Sequence, residues 1–268
     1  MSKKLSAGKS DFFNALRWAA AMVVVIGHID MVGMQLYGDK RTGISDFYTY
    51  LSSHAHAAVI VFFVLSGYLI AYSSHNKKQR KDYTFKDYFL DRWSRIYSVL
   101  PAAIVFTLVL DYTGSFFSPA YLNPALVPQD NWGLRLFVNL FSLQGIQGYR
   151  IQLGTNPALW SIGYEFVYYI LFGLIFFRRK LFKNKVVFVS IIFLILCVIG
   201  IKMAGYFLIW LLGVLSFYLS RRIKLKVSGL RLTIFLLGFL MLNHFVGYKN
   251  SFGLAEYWND FILAFYLG

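Results

Sequence analysis

Long blocks of apolar residues constrain the fold of this chain more than any other feature of its sequence. The clearest blocks are residues 19–26, 59–65, 186–201 and 207–219. A helix that crosses the hydrocarbon core of a bilayer needs roughly 20 mostly apolar residues, and fewer where the bilayer thins. Only 15% of the 268 residues are charged, against roughly a quarter in a soluble domain. The sequence therefore predicts an all-α, polytopic bundle of transmembrane helices.

The basic residues are placed as they are in membrane proteins. A net charge of +15 would suggest a nucleic-acid partner in a soluble protein. Most of the 27 lysines and arginines, however, form four clusters, at residues 3–9, 77–95, 178–185 and 221–231. Such clusters mark the cytoplasmic ends of membrane helices. We therefore predict no nucleic-acid partner and a cytoplasmic N-terminus.

The apolar runs and the basic clusters together predict seven to eight spans. The seven complete spans cover residues 12–34, 55–73, 96–113, 158–177, 186–201, 206–219 and 232–245. A further apolar run begins at Trp258 and is cut off at Gly268. Since an unfinished span leaves backbone groups poorly placed, we expect residues 1–268 to form a single transmembrane domain that is incomplete at its C-terminus.

A short apolar segment, residues 134–143, interrupts the long outer loop. Counting it as a span would place the basic cluster 178–185 outside, against the charge rule. About ten residues are also too few to cross the bilayer. We interpret the segment as re-entrant or interfacial.

Ionisable groups inside a span are costly and are therefore functional candidates. The first span contains Arg17, His28 and Asp30. Arg17 and His28 are separated by roughly 16 Å along the helix axis and project from nearly the same face. Asp30 points elsewhere. The alternatives are that Arg17 snorkels to the interface and that His28 is a packing histidine bonded to a neighbouring carbonyl.

An arginine pair and a single glutamate are further candidates for function. Arg92 and Arg95, spaced i, i+3 before the third span, would share a helix face and clamp phosphates, although the charge rule alone also predicts arginines there. Glu165 is the one acid well inside the fourth span, at a depth similar to that of His28. A Glu–His pair suits a general base whose imidazole is fixed by the carboxylate, and a counter-ion role is the alternative.

The second span contains two adjacent small residues, Ser66 and Gly67, within the segment 62–68. Small residues in a span allow another helix or a ligand to approach closely. The residues of this segment alone do not distinguish a neighbouring helix from a ligand.

Four sequence elements, in this order, resemble acyltransferase family 3. They are the pair Arg17 and His28, the segment 62–68 with Ser66, the pair Arg92 and Arg95, and Trp160-Ser161 followed by Glu165. Each element is loose alone, but their order and predicted topology are specific over residues 12–169. Beyond that region the resemblance rests on hydropathy.

The resemblance implies about ten membrane helices and an O-acyltransferase of the bacterial cytoplasmic (inner) membrane. The enzyme would move an acetyl or other short acyl group from cytoplasmic acyl-CoA to a hydroxyl of an extracytoplasmic glycan or glycolipid. The residue roles that it implies are His28 and Glu165 in catalysis, Arg17, Arg92 and Arg95 on the phosphates of acetyl-CoA, and Ser66, Trp160 and Ser161 on the substrate. The expected partners are a surface polysaccharide or glycolipid acceptor and the bilayer, with no metal. A monomer and a homodimer both stay open.

Two other classes of protein remain open on the sequence. A transporter or flippase of a lipid-linked saccharide also uses paired charges within spans. Transporters often carry inverted repeats with interrupted helices, and the sequence shows no internal repeat. A non-catalytic membrane partner is the other alternative.

Overall fold

The computed structural model describes residues 7–37, 46–80, 82–122, 127–128, 130–149 and 151–222. Within these residues the protein is all-α, with nine α-helices and no strand. The helices are α1 (Ala7–Tyr37), α2 (Asp46–Ser53), α3 (Ala55–Lys77), α4 (Phe85–Tyr97), α5 (Leu100–Phe117), α6 (Trp132–Leu140), α7 (Leu159–Phe176), α8 (Arg178–Leu181) and α9 (Lys185–Arg222).

Five helical segments in the described part of the chain are long and apolar enough to cross a membrane. They are Ser10–Met31, Ala55–Lys77, Phe85–Phe117, Leu159–Phe176 and Lys185–Arg222. The first, second and fourth of these confirm the helices predicted at residues 12–34, 55–73 and 158–177. The predicted span 232–245 and the run from Trp258 lie outside the described residues.

The third predicted span, at residues 96–113, begins later than the sequence suggested. Ile96 belongs to α4, and α5 begins at Leu100 with Pro101 in its first turn. Pro101 has no N–H to donate to the carbonyl of Tyr97, four residues earlier, and its ring would clash with that carbonyl in a continuous helix, so the helix is interrupted here. Arg92 and Arg95 therefore lie on a separate helix, α4, which a Thr84–Asp87 capping box starts.

The pair of spans predicted at residues 186–201 and 206–219 corresponds to α9, in which two helices meet at a kink. Its 38 residues would extend about 57 Å as a straight helix, far beyond the roughly 30 Å of hydrocarbon. The helical conformation is broken at Gly200 (φ 81°, ψ 166°), a few residues before the predicted turn. Gln147 donates through Nε2 to the carbonyls of Cys197 (2.6 Å) and Val198 (2.9 Å), just before the break. This side chain therefore supplies a hydrogen-bond donor where the helical ladder is interrupted.

The short segment predicted as re-entrant or interfacial forms α6, whose nine residues extend only about 14 Å. Its polarity is inverted relative to a helix on a soluble protein. Asn139 is buried, whereas Leu134 and Phe137 are exposed. This arrangement agrees with a helix that contacts lipid without crossing the bilayer.

The described helices fall into two compact units, and each is described by itself. The first unit contains α1 as far as Met31, α2, α3 and the part of α9 from Gly205 onward. The second contains α4 to α8 and α9 as far as Ala204.

The centre of the first unit is a close crossing of α3 and α9 at two glycines. A Cβ atom on Gly67 would lie 2.2 Å from the carbonyl oxygen of Trp210, and one on Gly213 would lie 2.0 Å from the carbonyl oxygen of Val64. Each backbone therefore occupies the space that a side chain on the other helix would need. The prediction that the small residues of the second span admit a close neighbour is confirmed, and the neighbour is a helix.

The core of the second unit joins α4 to α7 through Tyr88, which is fully buried. Its ring packs on Gly173, where a Cβ atom would lie 2.6 Å from the ring. Its hydroxyl donates to the carbonyl of Tyr169 at 2.8 Å. A buried phenol needs such an acceptor, so this bond fixes the position of α4 along α7.

Candidate functional site

One side of α7 carries three polar residues, one helical turn apart. Ser161, Glu165 and Tyr169 follow each other at i, i+4 spacing, which places them in a row along the helix. The Tyr169 hydroxyl donates to Oε1 of Glu165. Ser161 donates to the carbonyl of Ala158 at 3.0 Å, within the first turn. We call these three residues the α7 row.

Trp160 precedes the row and packs edge-on against Tyr164, with ring centroids 4.9 Å apart. Of the predicted substrate-binding residues, Trp160 and Ser161 are therefore brought together with Glu165 on one helix. Ser66 belongs to the first unit, where it is buried on α3 beside the glycine crossing.

The segment that leads into α7, residues 151–159, is held by side chains of the preceding elements. We call this segment the strap. Arg135 donates through Nη1 to the carbonyl of Gln152 (2.9 Å), and Asn139 donates to the carbonyl of Ile151 (2.8 Å). Gln144, which is almost fully buried, donates to the carbonyl of Leu159 at 2.6 Å. These bonds place the start of α7, and with it Trp160 and Ser161.

Arg135 is itself held by an acid outside the helices. Its Nη2 lies 2.7 Å from Oδ1 of Asp130, and its Nε donates to the carbonyl of the same residue. The hydrogen bond from Arg135 holds the pKa of Asp130 below its ordinary value. The guanidinium group thus connects the loop before α6 to the strap.

Asp111 on α5 makes the central contact with the strap, and sequence reasoning missed it. Its carboxylate accepts from the backbone N–H of Thr155 (2.9 Å) and from the Thr155 hydroxyl (2.5 Å). Gly154 adopts φ +56°, and a Cβ atom there would lie 1.8 Å from Oδ2 of Asp111. The signal was present in the sequence, because Asp111 is an ionisable residue inside the predicted third span.

Replacing Asp111 by alanine should destabilise the protein by about 2–4 kcal/mol, since it leaves the N–H and hydroxyl of Thr155 without their acceptor. Asp111→Asn should cost less than about 1 kcal/mol, because an amide can accept from the N–H and donate to the hydroxyl oxygen. The midpoint of thermal unfolding in detergent measures both effects. Equal midpoints for Asp111→Ala and the parent chain would contradict the assignment.

His28 lies half-buried on α1, in the first unit. Its Nδ1 is 2.8 Å from the carbonyl oxygen of Val24. A carbonyl only accepts, so Nδ1 carries the proton, and in the neutral ring Nε2 keeps its lone pair. The neighbouring Gly27 packs on the start of α3, where its Cβ atom would lie 2.2 Å from the Cβ of Ala55. The bond to Val24 is of the kind expected for a packing histidine, yet it also sets the tautomer that a base requires.

Arg17 is half-buried on α1, and the helix between Arg17 and His28 is continuous. Their separation of about 16 Å along the axis therefore holds in the structure.

Arg92 and Arg95 have different surroundings, although their i, i+3 spacing predicts a shared face. Arg92 is 7% exposed and lies over the Tyr88 ring, 5.6 Å from its centroid. Arg95, one turn later, is exposed. The difference arises because α4 packs on α7, and the packed side includes Arg92.

Burial raises the pKa of the Tyr83 hydroxyl above its ordinary value, and the charge of the nearby Arg92 only partly opposes this increase.

The predicted residues thus divide between the two units. Arg17, His28 and Ser66 lie in the first unit, and Arg92, Arg95, Trp160, Ser161 and Glu165 lie in the second. The pairing of His28 with Glu165 joins residues of different units and stays a prediction. Among the described residues, no group of three His, Cys, Asp or Glu side chains is arranged to hold a metal ion.

Comparison with known proteins identifies the family. A family model described as an acyltransferase domain matches residues 10–268. The "O-acetyl transferase" of Shigella phage Sf6 is 30% identical over 193 residues, which cover 72% of this chain and 53% of that protein. "Acyltransferase MdmB" of Streptomyces mycarofaciens is 29% identical over 160 residues, which cover 59% of this chain and 37% of that protein.

The aligned region spans about half the length of the Sf6 protein and less of the Streptomyces protein. No solved structure gives a significant match. The family model nevertheless covers nearly the whole chain, and five of the described helical segments are long and apolar enough to cross a membrane. The chain therefore belongs to acyltransferase family 3, as a multi-pass membrane member.

Proposed function

We propose that this chain is an integral membrane O-acyltransferase. It moves an acetyl, or another short acyl group, from cytoplasmic acyl-CoA to a hydroxyl group of an extracytoplasmic glycan or glycolipid. Family membership supports acyl transfer, and the name of the Sf6 relative supports O-acetyl transfer. The observation that carries the proposal is the match of the acyltransferase family model to residues 10–268. The bond of His28 Nδ1 to the Val24 carbonyl is compatible with it, because it leaves the Nε2 lone pair available to a substrate.

His28 would act on the acceptor hydroxyl. Nε2 takes the hydroxyl proton while the oxygen attacks the thioester carbonyl carbon of the donor, and the carbon–sulfur bond breaks. The imidazolium then returns the proton to the departing thiolate, so that CoA leaves as the thiol and His28 is again neutral. The alternative is that Nε2 itself carries the acyl group between donor and acceptor. The sequence predicts Glu165 as the carboxylate that orients or charge-balances the imidazole.

The donor phosphates would be bound by arginine. Arg95 is exposed at the end of α4, whereas Arg92 is largely covered by its packing against Tyr88. We therefore assign the direct phosphate contact on α4 to Arg95, and a supporting role to Arg92. Arg17 marks the cytoplasmic part of α1, about 16 Å from His28, and the extended pantetheine arm of CoA is long enough to cover such a distance. The N-terminus would then lie in the cytoplasm and the protein in a bacterial inner membrane, as the sequence predicts.

The acceptor would meet the start of α7. Trp160 offers an indole surface of the kind that stacks on sugar rings, and Ser161 offers a hydroxyl group one turn above Glu165. The strap fixes both through its bonds to Arg135, Asn139, Gln144 and Asp111. Ser66, the third predicted substrate residue, is 8% exposed in the first unit, and its role in substrate binding stays a prediction.

Acyl transfer is tested by supplying radiolabelled acetyl-CoA to membranes that contain this chain and following the label. We expect label in the polysaccharide or glycolipid fraction, released by mild base as expected for an ester. Membranes without the chain provide the background. Movement of an unlabelled lipid-linked saccharide across the membrane, with no esterified label, would favour the transporter instead.

Replacing Arg95 by alanine should raise KM for acetyl-CoA about tenfold and leave kcat nearly unchanged, since one charge-assisted phosphate contact is lost from ground state and transition state alike. Lys86→Ala is the matched control, because Lys86 is an exposed cation on the same helix. Both variants lower the net charge equally. If they raise KM equally, the effect is general electrostatics and Arg95 makes no specific contact.

A further inference from the structure

A neighbouring tyrosine contacts the carboxylate of Glu165. Tyr169 lies one turn further along α7, and its hydroxyl donates to Oε1 of Glu165. Tyr169 is only 1% exposed, so its ring is enclosed by protein. Glu165 is half-buried and more accessible. The tyrosine hydroxyl thus contacts the carboxylate from the side that is enclosed by protein.

Tyr169 is in turn held from the adjacent helix. The hydroxyl of Tyr88 on α4 donates to the Tyr169 carbonyl at 2.8 Å, and the Tyr88 ring fills the space above Gly173, one turn later on α7. Both tyrosines are buried, so neither has room to adopt another rotamer without disturbing the α4–α7 packing. The donor atom that faces Glu165 is therefore well fixed.

We propose that Tyr169 is a positioning residue for acyl transfer, which holds the Glu165 carboxylate in its working orientation. The inference rests on the proposed function. A glutamate side chain has three rotatable bonds and loses considerable freedom when it is ordered. A fixed phenol that donates to one oxygen removes much of that freedom before the substrates bind. Positioning of this kind is commonly worth one to two orders of magnitude in rate.

The next residue in the chain provides a matched control. Tyr168 is also fully buried on α7. Its hydroxyl donates a hydrogen bond to the Met203 carbonyl at 2.8 Å and not to Glu165. Tyr168→Phe and Tyr169→Phe each remove one buried hydroxyl from the same helix in the same unit. If the hydroxyls serve only stability, both substitutions should lower the unfolding midpoint and neither should change turnover by the folded enzyme.

The experiment measures transfer from radiolabelled acetyl-CoA by the full chain and by Tyr169→Phe, Tyr168→Phe, Glu165→Gln and the double variant Tyr169→Phe/Glu165→Gln. We expect Tyr169→Phe to lower kcat about 10- to 100-fold, with KM for acetyl-CoA changed less than about twofold. Tyr168→Phe should keep kcat within about twofold of the parent chain. In the Glu165→Gln background, Tyr169→Phe should have little further effect, because the residue through which it acts is already lost.

A thermal-unfolding cycle on the parent chain, Tyr169→Phe, Glu165→Gln and the double variant reports on the contact without any activity. The midpoint changes of Tyr169→Phe and Glu165→Gln should be non-additive if the two side chains interact. Additive changes in the unfolding midpoint would overturn the inference. An unchanged kcat in Tyr169→Phe beside a large loss of kcat in Glu165→Gln would overturn it too. In both cases the proposed function would still stand. Absence of transfer by the parent chain would instead overturn the proposed function, and the positioning role with it.

Discussion

Replacing His28 by alanine should abolish acyl transfer, with kcat lowered by roughly 10²- to 10⁴-fold, the range for loss of a general base. The structure gives the reason at the level of one atom. The bond from Nδ1 to the Val24 carbonyl directs the lone pair to Nε2, and alanine has no atom that can take a proton there. The measurement is incorporation of label from acetyl-CoA into the acceptor fraction at saturating donor, normalised to folded protein.

His54→Ala is the appropriate control for this experiment. Its Nδ1 is also bonded to a carbonyl four residues earlier, that of Tyr50, at 2.6 Å, so the two histidines share the same local geometry. His54 precedes α3 and is not among the residues predicted to act in transfer. We expect its replacement to keep at least about half of the parent activity, because His54 has no part in the proton transfer. Turnover by His28→Ala at the parent rate would refute the proposed role of His28.

Introducing alanine at Gly67 or at Gly213 should destabilise the protein by at least about 3 kcal/mol, the upper part of the range for overpacking. In both cases the new Cβ atom would meet a backbone carbonyl, that of Trp210 at 2.2 Å or that of Val64 at 2.0 Å. A side chain can avoid a clash by adopting another rotamer, whereas backbone atoms in a packed helix cannot. The two helices must therefore separate, and the contacts around the crossing are lost with them. The unfolding midpoint and the yield of folded protein in detergent measure the effect.

Two other glycines make this test specific. Gly133 on α6 has no atom within 4 Å of a Cβ position, so Gly133→Ala should be neutral or stabilising by up to about 1 kcal/mol. At Gly27 the nearest obstacle is a side chain, the Cβ of Ala55 at 2.2 Å, and the next is the Ser52 carbonyl oxygen at 3.2 Å. Gly27→Ala should therefore be destabilising alone and partly rescued by Ala55→Gly, whereas no side-chain substitution should rescue Gly67→Ala. Normal stability of Gly67→Ala would contradict the close crossing of α3 and α9.

The sequence alone determined the fold class and most helix positions among the described residues, because the physical causes are local. Roughly 20 apolar residues in one run are enough to specify a membrane helix, wherever the remainder of the chain lies. That is why the helices at residues 12–34, 55–73 and 158–177 were predicted correctly. The same holds for Ser66 and Gly67, since small residues at one position predict a close neighbour without saying which. The order of the four motifs likewise sufficed for the family.

The tertiary structure decided what depends on contacts between distant parts of the chain. Asp111 bonds to Thr155 across 44 residues, and Tyr88 bonds to Tyr169 across 81. No local pattern specifies such partners, although the rule for charges in spans would have drawn attention to Asp111. Arg92 and Arg95 looked equivalent by spacing, and only the packing of α4 on α7 made one buried and the other exposed. Hydrophobicity along the chain is a local property, whereas the burial of a particular polar group is decided by the helix that packs on it.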